Sequence, residues 1–495
     1  MEGFALQKMK LRPGPLPFKT MPWGHQKTEF MRYRTAKARA RFWTMRTGKT
    51  KVTLDEAAFL YHIGEITGVI VIAPNTVHEN WVLKELPTHM AVPYEAMIYK
   101  AVKAKQKGVK AKFQHLCMNR DDLKILSINS TALRTETAKS FLVTFIKHHK
   151  GRILVIFDEA HDFKKPGSKR TITARGVAAK CEYKRLLTGT PIHGSPMNAY
   201  SEFELLEKGA LGFTTYDEFK NYFGLWEVTK TRAGRPYVRF MGPQNEEELT
   251  RRIEKYTTVL RREDVPGLMR PLNIERMFEM TDKQKKVYDA ISENPVLDGE
   301  VLDGGVFFQK LQQIGSGFLN TKTHGLVELV PPEDNPRFNL IMNEVEKAQG
   351  KVIVWLQYHY EFEVLRKLLT AADIGFSEVH GKSGGSHIQT IYDFGRSESK
   401  KVIFGHALSG GVGGDLSFCN TILWGSHTFD LIQRDQASER GTQIGKLPVD
   451  LIDIIGLNSI DSYILNALSN KINVADLIAA TGLVDLKRQL QESYV

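Results

Sequence analysis

Residues 153–161 run Ile153-Leu154-Val155-Ile156-Phe157-Asp158-Glu159-Ala160-His161. An unbroken apolar series of this length reads as a strand covered on both faces, because a strand with one wet face would alternate. The series ends on two carboxylates. In open parallel sheets, ligands gather beyond the carboxyl ends of the strands, so Asp158 and Glu159 are placed where a site can form. A strand-end acidic pair can also be a solvated turn. The rest of the chain decides between the two.

Three more short apolar runs share the pattern: Val69-Ile70-Val71-Ile72-Ala73, Lys351-Val352-Ile353-Val354-Trp355 and Leu451-Ile452-Asp453-Ile454-Ile455. Amphipathic stretches such as Tyr360 to Ala372 lie between such runs. This alternation predicts an α/β fold built on parallel sheets. Proline and glycine cluster at Pro266 to Pro271 and at Pro331 to Pro336. These clusters divide the chain into two α/β domains, about 1–265 and 337–480, with a partly helical connector, 266–336, and a helical tail, 481–495.

About a hundred residues before the acidic pair stands Met45-Arg46-Thr47-Gly48-Lys49-Thr50, followed by Val52 to Ala58 with helical character. A Gly-Lys-Thr turn at a helix start presents backbone N–H groups to phosphate oxygens. Gly48 lets the backbone approach closely, Lys49 can neutralise the β/γ-phosphates, and Thr50 can ligate Mg²⁺. Trp43 occupies the usual first glycine position of such a loop. Taken with this loop, the acidic pair becomes functional. Asp158 would hold Mg²⁺, and Glu159 would orient and deprotonate the attacking water.

The ordered set of motifs resembles helicase superfamily 2, in its Snf2-like branch and closest to phage or bacterial members. Asp158-Glu159-Ala160-His161 is a DEAH box, and Leu186-Leu187-Thr188-Gly189-Thr190-Pro191-Ile192 is similar to motif III. Val71-Ile72-Ala73-Pro74-Asn75, with Asn80-Trp81 behind it, resembles motif Ia. Val352 to Tyr358, Ser409 to Leu416 and Gln436-Ala437-Ser438-Glu439-Arg440 resemble motifs IV, V and VI. The likeness covers roughly residues 20–465. It departs at Arg46, where Gly is usual, at His193-Gly194, and at Gln443, which stands where a second arginine is usual.

The resemblance implies two RecA-like domains that use ATP and Mg²⁺. From the first, Gln26, Thr47, Gly48, Lys49 and Thr50 would bind ATP, with Gln26 reading adenine. From the second would come Gly413, Asp415, Gln436 and the arginine finger Arg440. His161, Thr188 and Thr190 would couple the ATP site to neighbouring motifs. Phosphate contacts to nucleic acid would come from Pro74, Asn75, Asn129, Ser130, Gln357 and Ser409. The implied activity is an ATP-driven DNA helicase or translocase that remodels duplex or branched DNA, working as a monomer. An RNA helicase and an ATP-dependent nucleic-acid clamp are the competing readings.

The composition fits a nucleic-acid partner. The 495 residues carry a net charge of +12. Thirteen Lys and Arg against one acid, Glu29, fall between Lys8 and Lys51. A second cluster, Lys100, Lys103, Lys105, Lys107, Lys110 and Lys112, contains no acid. Both favour a polyanion over a merely solvated face. Trp226 to Phe240 predicts a β-hairpin around Ala233-Gly234, with Lys230, Arg232, Arg235 and Arg239 to meet phosphate and Tyr237 and Phe240 to stack on bases, or else to pack on the domain. The three cysteines, Cys117, Cys181 and Cys419, lack metal or disulfide spacing. With no signal-peptide core and no apolar run of about 18 residues, a cytoplasmic location is expected. No further acidic or His-rich constellation points to a nuclease.

Overall fold

The 153–158 series forms a strand with every side chain buried. It lies inside a seven-stranded, wholly parallel sheet. The strands in chain order are β1 (Ala38–Trp43), β2 (Gly68–Ala73), β3 (Tyr94–Ile98), β4 (Leu123–Asn129), β5 (Ile153–Asp158) and β6 (Tyr183–Thr188). A separate antiparallel hairpin, β7 (Gly224–Lys230) and β8 (Pro236–Pro243), precedes the last strand, β9 (Thr257–Leu260). The spatial order is β3-β4-β2-β5-β6-β1-β9. The computed structural model describes residues 18–75, 77–118, 122–189, 196–230, 236–379, 387–407 and 415–469.

Strand periodicity splits the core in two. Ile70, Ile72, Val155 and Phe157 enter one apolar layer, and Val69, Val71, Leu154 and Ile156 enter the other. Both faces are therefore dry, which is why these strands show no alternation. Two helices frame the carboxyl edge of β1: α1 (Gly24–Tyr33) before it and α2 (Lys49–His62) after it. Along α2 nearly every side chain from Lys51 to Tyr61 is buried.

By contact, the chain forms two compact units, 1–265 and 266–495. The second holds a six-stranded parallel sheet in the order β10-β19-β18-β15-β17-β16. Its strands are β10 (Leu272–Phe278), β15 (Lys351–Trp355), β16 (Gly375–Val379), β17 (Lys400–Gly405), β18 (Cys419–Trp424) and β19 (Asp450–Gly456). Two small hairpins, β11 (Val296–Leu297) with β12 (Glu300–Val301) and β13 (Phe318–Thr321) with β14 (Gly325–Glu328), complete the strands. The stretch 266–336, set apart in the sequence by its prolines, contributes β10 and the helix Gly304–Gly315. That helix buries Phe307, Phe308, Leu311 and Ile314 in the core of this unit. All four strands expected from apolar runs are present, and the helix expected at Tyr360–Ala372 spans His359–Ala371. The tail expected at 481–495 lies outside the described residues.

The basic stretch between Lys8 and Lys51 is not all surface: Lys19, Lys27, Arg32 and Lys37 are exposed, but other members turn inward. Arg39, Arg41 and Lys51 are buried. Arg41 pairs with Glu56 and with Glu29 at 3.2 Å, and Arg185 of β6 reaches the other Glu56 oxygen at 2.8 Å. Burial works against the Glu56 carboxylate, but Arg185 and Arg41 outweigh it and hold its pKa below the usual range. Removing one partner from such a set would strand a buried charge, at a cost of about 3–5 kcal/mol. Here the arginines of β1 hold α1, α2 and β6 together.

Candidate nucleotide site

The loop Thr44–Gly48 leaves the carboxyl end of β1 and enters α2 through Gly48, whose φ is +79°. Arg46, where the family usually carries glycine, is also left-handed, at φ +64°. The usual glycine thus reflects a backbone requirement that Arg46 meets at a steric cost on the order of 1 kcal/mol. Thr47 is buried, and its hydroxyl donates to the Thr44 carbonyl at 2.7 Å.

Lys49 donates to two loop carbonyls, Trp43 at 2.7 Å and Thr44 at 3.3 Å. Burial lowers its pKa, and the carboxylates Glu159 and Asp158 oppose that shift. Asp158 is itself buried. Desolvation and its neighbour Glu159 push its pKa up to about 7 against the pull of a Trp81 hydrogen bond and of Lys49. The loop cation and the acidic pair therefore converge at one carboxyl edge. Glu159 takes a left-handed conformation, φ +53°, and its carboxylate lies 3.4 Å from His161 Nδ1. Thr188 is buried at the end of β6. At the next residue, Gly189, a β-carbon would stand 3.2 Å from Met45 Cγ and 3.9 Å from Lys49 Nζ, so motif III abuts the loop. Thr50 is half-buried in the first turn of α2.

Gln26 folds back onto the loop. It is buried, accepting from the Trp23 N–H at 2.9 Å and donating to the carbonyls of Thr47 at 3.2 Å and Gly48 at 3.4 Å. His25 donates to the same Thr47 carbonyl at 2.8 Å. Ser130 is buried, and its hydroxyl donates to Asp162 at 2.5 Å. Asn129 caps the turn after β4 by accepting from the Ala132 N–H at 2.7 Å. Pro74 and exposed Asn75 follow β2 at the same carboxyl edge.

One residue had no assigned role. Trp81, quoted only as part of a pattern, is buried and donates its indole N–H to Asp158 at 2.8 Å. An isolated tryptophan just beyond an apolar strand was the available signal.

In the second unit, Asp415 accepts from the Ser417 N–H at 3.2 Å, and Gln436 lies on the helix Leu431–Ser438. That helix ends at Ser438, so Arg440 and Gln443 both lie beyond it. Arg440 is buried in the turn that follows, and Gln443 is exposed. Gln357 follows β15, with its backbone N–H donating to Glu361 at 2.9 Å and to Ser426 at 2.8 Å. Thr190, Ser409, Gly413, Arg232 and Arg235 lie outside the described residues. The predicted hairpin is present as β7 and β8. Phe240 packs against Trp226, ring centroids 5.0 Å apart, on the core rather than standing free to stack on bases.

The profile of the SNF2-related domain matches residues 43–324, more than half of the chain. The chain belongs to that family, and its two parallel-sheet units are RecA-like. It is 21% identical over 367 residues to the SWI/SNF-related matrix-associated actin-dependent regulator of chromatin subfamily A-like protein 1 of Drosophila melanogaster, covering 70% of this chain and 45% of that protein. It is 24% identical over 318 residues to the Zorya protein ZorD of Escherichia coli O139:H28, covering 59% of this chain and 28% of that one. The chain thus spans less than half the length of either curated relative. Among solved structures, the Sulfolobus solfataricus SWI2/SNF2 ATPase core in complex with double-stranded DNA aligns over 97% of this chain and 99% of its own, at 19% identity and a TM-score of 0.41. No described helix is long and apolar enough to cross a membrane.

Proposed function

We propose that the chain hydrolyses ATP in a nucleic-acid-dependent manner and uses the energy to move along DNA and remodel duplex or branched structures. The observation that carries this reading is the approach of Lys49 to Asp158 and Glu159 at the carboxyl edge of β1 and β5. A half-buried ammonium held, among the described residues, by two loop carbonyls, beside a left-handed Gly48 at a helix start, suits a phosphate chain. Asp158 and Thr50 are the oxygen donors for Mg²⁺, which would neutralise phosphate charge. Glu159 would take the proton of the attacking water, with His161 beside it. Arg440 is proposed to stabilise charge on the γ-phosphate oxygens during turnover. Family membership supports a motor, and the chromatin role in the Drosophila relative's name favours DNA over RNA.

The test is ATP turnover alone and with single-stranded DNA, duplex, fork, four-way junction and RNA. DNA should stimulate it. Lys49→Ala should abolish turnover, and Glu159→Gln should bind ATP without hydrolysing it. Stimulation by RNA alone would overturn the DNA assignment. Near-normal turnover in either folded variant would overturn the motor.

A further inference from the structure

The two basic clusters of the sequence part ways in the structure. In the first, Arg39, Arg41 and Lys51 are buried in ion pairs, while Lys19, Lys27 and Arg32 are exposed but scattered. The second, from Lys100 to Lys112, is exposed and fixed in place. It leaves the carboxyl end of β3 as a turn, in which Lys103 N donates to Lys100 O at 3.0 Å and Gln106 N to Lys103 O at 3.0 Å. It continues as the helix Lys107–Met118. Tyr99, Ala104, Phe113, Leu116 and Cys117 are buried in the core and pin this segment down.

All its lysines point the other way. Lys103, Lys105, Lys107, Lys110 and Lys112 are exposed, and none forms an ion pair among the described residues. Two acids on neighbouring elements are already engaged. Glu79 pairs with Lys100 at 2.9 Å, and Glu95 pairs with Lys124 at 3.0 Å and His115 at 3.1 Å. Among the described residues, no ion pair engages any of these five ammonium groups, which fall within ten residues. Such a concentration of like charge is self-repulsive and is relieved by a polyanion.

Its place in the fold selects the polyanion. β3 is the edge strand beside β4, and Tyr99 N donates to Ser127 O at 2.8 Å. The Lys100–Glu79 pair ties the segment to the helix Val77–Asn80, which follows Pro74 and Asn75. Ser127 Oγ in turn donates to the His78 carbonyl at 2.6 Å. The lysines thus continue the carboxyl edge that carries the segment after β2.

We infer that the Lys103–Lys112 segment is an accessory binding surface for the phosphate backbone of DNA, extending the nucleic-acid track outward past the edge strand β3. This rests on the reading of the chain as a DNA motor. The contacts are ammonium to phosphate and carry no sequence information. They act by releasing counterions, and each contributes about 0.9 to the slope of log affinity against log salt on duplex DNA.

The experiment compares two triple variants of the full chain that lower net charge equally. Lys103→Gln, Lys107→Gln and Lys110→Gln alter the segment. Lys283→Gln, Lys285→Gln and Lys286→Gln alter exposed lysines on the helix Asp282–Glu293. Binding of a labelled 40-base-pair duplex of mixed sequence is measured from about 50 to 200 mM salt, with melting curves as the folding control. The segment variant should bind at least tenfold more weakly at the low-salt end, with a salt slope shallower by about 2.7. The second variant should keep the parental slope, and lysine-to-arginine changes in the segment should restore it. An unchanged slope in the segment variant overturns the inference. So does an equal loss in both variants, which would make net charge the cause. Loss of binding to polyglutamate with DNA binding intact would assign the surface to an acidic protein and overturn it too. Failure of DNA to stimulate ATP turnover in the parent would instead strike the motor reading, because the slope is measured without turnover.

Discussion

The indole N–H of Trp81 donates to a carboxylate oxygen of Asp158 at 2.8 Å, and both side chains are buried. This bond fixes the rotation of the carboxylate proposed to hold Mg²⁺ and offsets part of its desolvation. Outer-shell partners of metal ligands typically matter by 10–100-fold in affinity or activity. Trp81→Phe keeps most of the ring and deletes the donor. The Mg²⁺ concentration for half-maximal ATP turnover should rise, on the order of tenfold, with a modest change in melting temperature. A Mg²⁺ titration with an unchanged midpoint would show that Trp81 serves packing alone.

Gly48 is constrained from two sides. Its φ of +79° disfavours any β-carbon, and a β-carbon there would stand 1.9 Å from Gln26 Nε2. The second obstacle is the end of a flexible side chain and can move; the first cannot. Gly48→Ala should therefore cost about 1–2 kcal/mol in stability and abolish ATP binding. Adding Gln26→Ala should recover only part of the stability. Full recovery in the double variant, read by urea unfolding, would mean that the contact and not the backbone sets the requirement.

Arg434 and Arg440 separate by role. Arg434 grips Asp453 through both carboxylate oxygens, at 2.6 and 2.7 Å, and lies 4.4 Å from the Trp424 ring centroid. It is a fastener between the helix Leu431–Ser438 and β19. Arg434→Ala leaves Asp453 buried and should destabilise the second unit by about 3–5 kcal/mol. Arg440→Ala should reduce ATP turnover by roughly 10³-fold or more with a smaller loss of stability. Turnover that survives Arg440→Ala in a folded protein would show that motif VI has been placed wrongly.

The strands and the nucleotide loop were legible in the sequence because their causes are local. A strand with two dry faces must be apolar throughout, as Ile153 to Phe157 is, and a helix-start glycine leaves a short signature at Gly48. Features that depend on distant partners were not legible. Arg39 and Arg41 look like solvent-facing charge until Glu29 and Glu56 arrive from α1 and α2. The bond from Ser130 to Asp162, which arrives from beyond β5, leaves no local signal either. The prolines near 266 and 331 mark turns truly enough, but local composition could not show that β10 adds to the edge of the second sheet beside β19.

The last prediction concerns Glu202. It lies on the short helix Asn198–Phe203, which packs against the turn Ala160–Phe163 just after the acidic pair. Its side chain is almost wholly buried, and Ala199, Tyr200 and Phe203 around it belong to the apolar core. Burial pushes its pKa from 4.5 up to about 8, with Lys164 opposing the shift only in part. The folded chain therefore keeps a proton that the unfolded chain gives up near pH 4.5. The sign follows by linkage: the contribution to stability is intact below about pH 4.5, declines as pH rises, and levels off above about pH 8. Within that window the slope can approach 1.4 kcal/mol per pH unit. Glu202→Gln keeps the shape and cannot ionise. It should unfold like the parent near pH 4.5 and become more stable than the parent by up to a few kcal/mol near pH 8. The measurement is urea unfolding of both proteins at four or five pH values across the window. A difference that stays constant with pH would mean that Glu202 ionises as freely in the folded chain as in the unfolded one.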